Sequence, residues 1–382
     1  MIKALFWISV AFPLYVYIAF PLVLWLLQAL VRRASPQQPV EPSVSLLIAA
    51  YNEAAVIADK VRNSLALDYP AEKLEIVVAS DGSQDATAQI VRSLEAESGG
   101  RVRLLDYPQN RGKMSALNDA VRELRRDIVA FTDATSMLAP DSLRILVQSF
   151  SDPHVGAASG VYRLLKKDRA QHGPQEDLYW KYETFLKVQE ARLGAFTGAH
   201  GSLYAIRRVL YPFPAANTIN DDFTIPMRIL ARGYRVAYEP AAVACEEAHE
   251  MEGFSRRVRI TAGNIEQLRE IRNLLWPPRP LVLFCLLSHK TARLLVPLFM
   301  VTALALNIAL RGQFPYNYLL AAQLAFYGLA ALGRAVDLKP HVLRLPYYFC
   351  MINSSLFAWL YQALRHGRAI PSRIELDRLG NR

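Results

Sequence analysis

Cysteine is scarce. Cys245, Cys285 and Cys350 are the only three in 382 residues, and no two stand at a ligand spacing. A disulfide framework and a zinc site are therefore not implied, and a soluble domain on the reducing side of a membrane fits. Charge is also sparse, at 20% of the chain, and residues 4–31 carry none. There is no Walker phosphate loop, no G-x-G-x-x-G after the first strand pattern and no G-x-S-x-G elbow. ATPase, dinucleotide-binding and serine-hydrolase readings find no support in their absence.

What the chain has in excess is apolar sequence at its two ends. The uncharged run 4–31 is longer than the roughly 20 residues that cross a bilayer and is followed by Arg32, Arg33 and the Pro-rich SPQQPVEPS. A cleavable signal peptide is the competing reading, but the run is long for one and no small-x-small site follows. Apolar runs return at 293–310, 318–333 and 345–364. The net charge of +10 gathers beside these runs, at Arg32, Arg33, the RRVR of 256–259, Arg334, Lys339 and Arg344. That placement suits a cytoplasmic membrane face and anionic lipid, not nucleic acid. Few ionisable residues fall inside the runs, which argues against a transporter.

The expected plan is an N-terminal membrane helix (1–33), a soluble domain (41–252), an amphipathic interfacial segment (253–292), about three membrane helices (293–366) and a basic tail (367–382). One span before the domain and three after it put the tail, with Arg365, Arg368, Arg373 and Arg378, on the side opposite the domain. Either one span is interfacial or the positive-inside rule fails here. No regulatory module is expected after residue 366.

In the middle, short apolar runs alternate with helical patterns: SVSLLIAA (43–50), LEIVVAS (74–80), RVRLLDY (101–107) and DIVAFTD (127–133). This alternation predicts an α/β fold with a doubly wound, mostly parallel sheet. Ligands of such sheets bind beyond the carboxyl ends of the strands, where Asn52, Glu53, Asp81 and Asp133 fall. Further on, TINDDFTIPMRIL sets Asp221 and Asp222 at the start of an apolar helix. Capping is one explanation, since acids satisfy free N–H groups there. The other is catalysis, with Asp221 as cap and Asp222 aimed into the site.

The ordered motifs AAYNE, ASDGSQDAT, NRGKMSALN, FTDAT, GAHGSLYAIRR, TINDDFTIPMR and RRVRITAG, over about residues 43–265, resemble glycosyltransferase family 2. The similarity is to its membrane-bound cellulose, hyaluronan, chitin and poly-N-acetylglucosamine synthase group, and the flanking apolar segments agree with it. The resemblance implies a GT-A fold, a nucleotide-diphosphate sugar donor with UDP favoured, and inversion at the anomeric carbon. It makes Asp222 the general base, the last acid of a T-E-D signature written here N-D-D. It gives Tyr51, Asn52, Glu53 and Asp81 to the donor nucleotide, and Lys113 and the arginines Arg256 and Arg259 to its diphosphate. His200, Gly201 and Ser202 lie in the segment similar to the family's acceptor-facing loop. Trp180, Tyr182 and Phe185 line the acceptor path or pack in the core.

Two motifs depart from the family. D-x-D reads Asp133-Ala134-Thr135, so Asp133 is the retained metal ligand for Mg²⁺ or Mn²⁺. Glu246, Glu247 and His249 are candidates for the missing acid, although a solvated acidic loop explains them as well. Q-x-x-R-W reads Arg256 to Ile260, which keeps Arg259 and loses the tryptophan on which a glycan end stacks. The expected function is sugar transfer to a glycan or lipid-linked acceptor at a bacterial inner membrane, in cell-envelope or exopolysaccharide synthesis, with other synthesis or export proteins as partners. The alternative is a catalytically degenerate homologue that binds nucleotide sugar or scaffolds an export complex.

Overall fold

The computed structural model describes residues 1–30, 39–165, 174–247, 279–336 and 341–366, together with 258, 261–265, 268, 338 and 339. Four parallel strands, β1 (Val44–Ala50), β2 (Leu74–Asp81), β3 (Val102–Tyr107) and β4 (Ile128–Asp133), are the four apolar runs of the sequence. They form half of an eight-stranded sheet ordered β3-β2-β1-β4-β7-β6-β8-β5. The other half holds β5 (Ser136–Leu138), β6 (Val155–Leu165), β7 (Tyr204–Arg207) and β8 (Arg235–Glu247). β7 runs antiparallel to both β4 and β6, and β6 and β8 are parallel.

Alternation along the strands builds two cores. Leu47, Val77, Val129 and Phe131 face one side; Leu46, Ile48, Ile76, Val78 and Ile128 face the other. Each fully buried side chain of this size is worth about 1.5–3 kcal/mol. The second face is covered by α2 (Ile57–Leu65), α3 (Thr87–Glu97) and α5 (Ser142–Gln148). The first is covered by α4 (Lys113–Glu123), α6 (Pro174–Arg192) and α7 (Asp221–Ala231). Phe20 and Leu24 of the N-terminal helix α1 (Ile2–Leu30) and Val282, Cys285 and Leu286 of α8 (Pro280–Ala309) belong to that same core.

α1 and α8, at 29 and 30 residues with mean hydropathy 2.1 and 1.9, are the two helices among the described residues that are long and apolar enough to cross a bilayer. α9 (Tyr316–Ala335) and α10 (Leu345–His366) are 20 and 22 residues long and less apolar. Residues 280–292, expected from the sequence to belong to an interfacial segment, form the first turns of α8. Their polar Ser288, His289 and Lys290 are accommodated because Ser288 and His289 are buried against other elements. The rest of the expected interfacial segment lies largely outside the described residues. At 261–265 a short helical stretch packs between α10 and residue 219: Val258 and Ala262 meet Leu356, Trp359 and Ile219.

Candidate active site

Register brings the acids to one edge. Ala49 pairs with Ala79 and with Asp133, and Ala50 pairs with Ser80, so Tyr51, Asp81 and Asp133 emerge together where β1, β2 and β4 end. Two loops are tied together there. Asn52, in the left-handed region at φ 55°, accepts from the Gln84 N–H at 2.8 Å, and its own N–H donates to Ser83 Oγ at 3.2 Å. The Glu53 N–H donates to Thr87 Oγ1 at 2.8 Å. Tyr51 is exposed.

Asp81 is buried, and its two oxygens accept from the Arg111 N–H at 3.0 Å and the Gly112 N–H at 2.7 Å. The carboxylate thus organises the turn that starts α4. Gly82 permits it: at φ 67°, a Cβ there would sit 2.4 Å from Asn110 N.

Lys113 follows in the first turn of α4, and its ammonium joins two acids. Nζ lies 2.8 Å from Asp133 Oδ1 and 3.1 Å from Asp221 Oδ1. Asp221 is buried and also accepts from Tyr204 OH at 2.9 Å. The helix cap is Asn220, with no side-chain cap bond. The expected capping role for Asp221 is therefore corrected: its carboxylate is drawn to a lysine and a tyrosine, while both acids still sit in the favourable first turn.

Asp222 is half-buried beside it. Its Oδ2 accepts from the Gly201 N–H at 3.1 Å, and its carbonyl accepts from the Ala199 N–H at 2.8 Å. Burial and then the neighbouring Asp221 push its carboxyl up to about 6, against Lys113 and Lys187. A carboxylate of this kind is a competent base near neutral pH. Gly201 sits between the two sets of acids: a Cβ there would stand 3.2 Å from Asp133 Oδ2 and 3.6 Å from Asp222 Oδ2.

The other residues expected on the acceptor side are held from behind. The His200 ring stacks on Tyr162 at 5.1 Å, and the His200 backbone N–H donates to Ser159 Oγ at 3.1 Å. Ser202 is buried, and its carbonyl accepts from Thr132 Oγ1 at 2.7 Å. Tyr182 donates to the Tyr17 carbonyl at 3.2 Å, Phe185 is exposed, and the Trp180 side chain lies outside the described residues. So do Arg256, Arg259, Glu247 (for its side chain) and His249.

Glu246 is in a strand, not in a solvated loop. It pairs with Ser136 across β5 and β8 and accepts from Thr135 Oγ1 at 2.7 Å. The residue that replaces the second acid thus holds another acid beside it. Among the described residues no group of three or more His, Cys, Asp or Glu gathers as a metal cage. Asp133 fits a hard cation in the other common way, one carboxylate shared with substrate phosphates.

Lys60 was not anticipated. It lies on the inward face of α2, one residue from Val61 and three from Ile57, and is fully buried. Its Nζ donates to Thr132 Oγ1 at 2.8 Å and to the Ser136 carbonyl, on both sides of Asp133. Burial pulls its ammonium down to about 7, with Asp133 opposing. Its spacing among apolar residues was the available signal.

A sheet of this order, with one acid at the end of β2, one at the end of β4 and an acid pair opening a helix across from them, is a GT-A fold. Residues 42–265 match glycosyltransferase like family 2, and the chain belongs to that family. It is 30% identical over 231 residues to the poly-beta-1,6-N-acetyl-D-glucosamine synthase of Staphylococcus aureus, covering 59% of this chain and 55% of that one. To the enzyme of the same name from Staphylococcus epidermidis it is 26% identical, over 75% and 69% of the two chains. The chain thus spans about half the length of the first of these relatives. The mannosyltransferase PcManGT from Pyrobaculum calidifontis, solved with GDP-Man and Mn²⁺, superposes with a TM-score of 0.73 at 26% identity. That likeness covers 95% of this chain and 99% of the other, so it takes in the apolar helices as well as the catalytic region.

Proposed function

We propose that the chain is an inverting, membrane-bound glycosyltransferase that moves a sugar from a nucleotide-diphosphate donor to a glycan or lipid-linked acceptor in exopolysaccharide or cell-envelope synthesis. The observation that carries this reading is the Asp222 carboxylate, raised towards neutrality and aimed by the Gly201 N–H beside Asp133 and Lys113. Asp222 takes the proton of the acceptor hydroxyl. The new bond forms from that oxygen to the anomeric carbon as the bond to the β-phosphate oxygen breaks, and the nucleoside diphosphate leaves from the opposite face. Lys113 stands where negative charge grows on the leaving group. A divalent cation held by Asp133 and the donor phosphates would add charge neutralisation there. Tyr51, Asn52 and Glu53, with the loop that Asp81 organises, form the wall for the nucleotide, and His200, Gly201 and Ser202 lie towards the acceptor.

Apolar side chains on α1 and α8, among them Trp7, Ile18, Trp25, Leu298 and Val301, are exposed, as lipid contact requires. They support a multi-pass membrane protein, and the basic residues beside the apolar runs, such as Arg32, Arg33 and Arg334, favour an inner membrane with the catalytic domain in the cytoplasm. A GlcNAc donor is the reading favoured by the synthases described above, and UDP-sugars are the donors to try first.

The experiment is nucleotide release by the purified full chain against UDP- and GDP-sugars, with Mg²⁺, Mn²⁺ or chelator, with and without membrane lipid extract. Cation-dependent release from one donor supports the proposal. Donor binding with no release in any condition, lipid included, favours the degenerate scaffold instead.

A further inference from the structure

α8 winds regularly except over Leu286–Thr291, where it widens to a π turn, and α1 does the same over Tyr15–Ala19. Such segments gather at functional positions, because they give up regular hydrogen bonding to re-aim side chains. The two face each other: Tyr15 OH and Ser288 Oγ are 2.7 Å apart. Both also face α6: Arg293 of α8 lies over the rings of Tyr17 on α1 and Tyr182 on α6, at 5.6 and 5.4 Å.

The widened turn directs His289, 1% exposed, into the catalytic domain. Its Nδ1 is 2.6 Å from Glu190 Oε1, and its Nε2 is 3.2 Å from Glu183 Oε2. Arg293 also donates to Glu183. Burial alone would raise the Glu183 carboxyl, but Arg293 and His289 hold it well below the usual range. Lys187 and Lys290 are the other charges facing this junction.

The chain of contacts continues towards the base. Glu190, fully buried, uses its second oxygen to accept from Thr197 Oγ1 at 2.9 Å. Thr197 begins the segment whose Ala199 and Gly201 N–H groups hold the carbonyl and the carboxylate of Asp222. Buried ion pairs are a poor source of stability, since well-packed apolar residues do as well or better. What they supply here is direction, through hydrogen bonds that fix one arrangement.

We propose that His289 and Glu190 are positioning residues. From the apolar helix that anchors the domain they fix the segment 197–201, and through it the orientation of Asp222. The inference rests on Asp222 acting as base in the proposed transfer. Neither His289 nor Glu190 touches the reacting atoms.

The test compares the full chain in lipid nanodiscs with Thr197→Val, Glu190→Gln, His289→Gln, His289→Ala and the double variant E190Q/T197V. Thr197→Val leaves the buried charges in place and guards against a simple failure to fold. Small misplacements of a catalytic group cost up to about 100-fold. The expected result is a kcat for sugar transfer lower by about 10- to 100-fold in T197V and E190Q. Donor KM and donor binding by calorimetry stay within about twofold. The double variant is no worse than the more impaired single one, since both weaken the same link. H289Q, which keeps one hydrogen bond, retains more activity than H289A. Wild-type kcat in T197V and E190Q, or losses that multiply in the double variant and follow falling thermal stability, would overturn the inference alone. An inactive wild type would overturn the functional reading and this inference with it.

Discussion

Asp222 sits among neighbours that pull its proton in opposite directions. Burial and Asp221 favour the neutral acid, while Lys113 and Lys187 favour the anion, with about 6 as the outcome. A base must be ionised, so kcat is expected to rise through pH 6 and level off above it, which a pH–rate profile checks. Asp222→Asn should cost about 10²- to 10⁴-fold in transfer, the usual worth of a general base. The same shift has a sign for stability. The folded protein holds this proton more tightly than the unfolded chain, whose Asp titrates near 3.8. Stability from this group is therefore full below the unfolded value and falls as pH rises towards 6. At pH 7, Asp222→Asn should unfold later than wild type, by up to about 3 kcal/mol in denaturant titrations. Gly201→Ala tests the crowding beside it. The new methyl group, 3.2 Å from Asp133 Oδ2, should lower transfer strongly with little change in melting temperature.

At the scale of elements, the sequence was informative where one period dominated. Apolar runs marked β1 to β4 to within a residue, and polar residues at their ends marked the edge where the candidate site lies. The antiparallel half was not legible. β8 carries Pro240 mid-strand, which argues against a strand, and the sheet tolerates it at a register shift between Ser159 and Val161. Glu246 was readable as one of three candidates to stand in for the missing acid, but its bond to Thr135 was not, because it forms only across β5 and β8. Asp81 was legible as a candidate site residue and Asp221 only as a helix-start acid, and their hydrogen bonds to the start of α4 and to Tyr204 depend on contacts distant in sequence. The Thr135–Glu246 pair gives a prediction. Thr135→Asp sets two carboxylates at close range, which favours either a proton or a cation between them. Its melting temperature should fall in chelator and rise on adding Mn²⁺ by more than that of wild type. Packing at 261–265 gives another. A Cβ on Gly263 would stand 2.3 Å from Asn220 Nδ2, so Gly263→Ala should displace the cap of α7 and reduce both stability and transfer.

On the scale of the whole molecule, the apolar helices are part of the catalytic domain's core. Phe20 and Leu24 of α1 are fully buried in the cluster that contains Leu47, Phe131 and Ile225. Removing residues 1–30 uncovers that face and loses about 3–6 kcal/mol from these two side chains. A chain beginning at residue 39 is expected to aggregate or bind a hydrophobic dye strongly, and not to behave as an independent soluble enzyme. The shared core would also let α8 bear on the proposed base, since α8 contributes Leu286 to it and His289 to the charged junction next to it.

The central claim is that Asp222 deprotonates the acceptor in a sugar transfer. The direct measurement is single-turnover transfer of radiolabelled sugar from the active donor to acceptor, by wild type and Asp222→Asn, alongside donor binding by calorimetry. The account predicts unchanged donor affinity and transfer lower by about 10²- to 10⁴-fold in the variant. Equal transfer by the two proteins would contradict it.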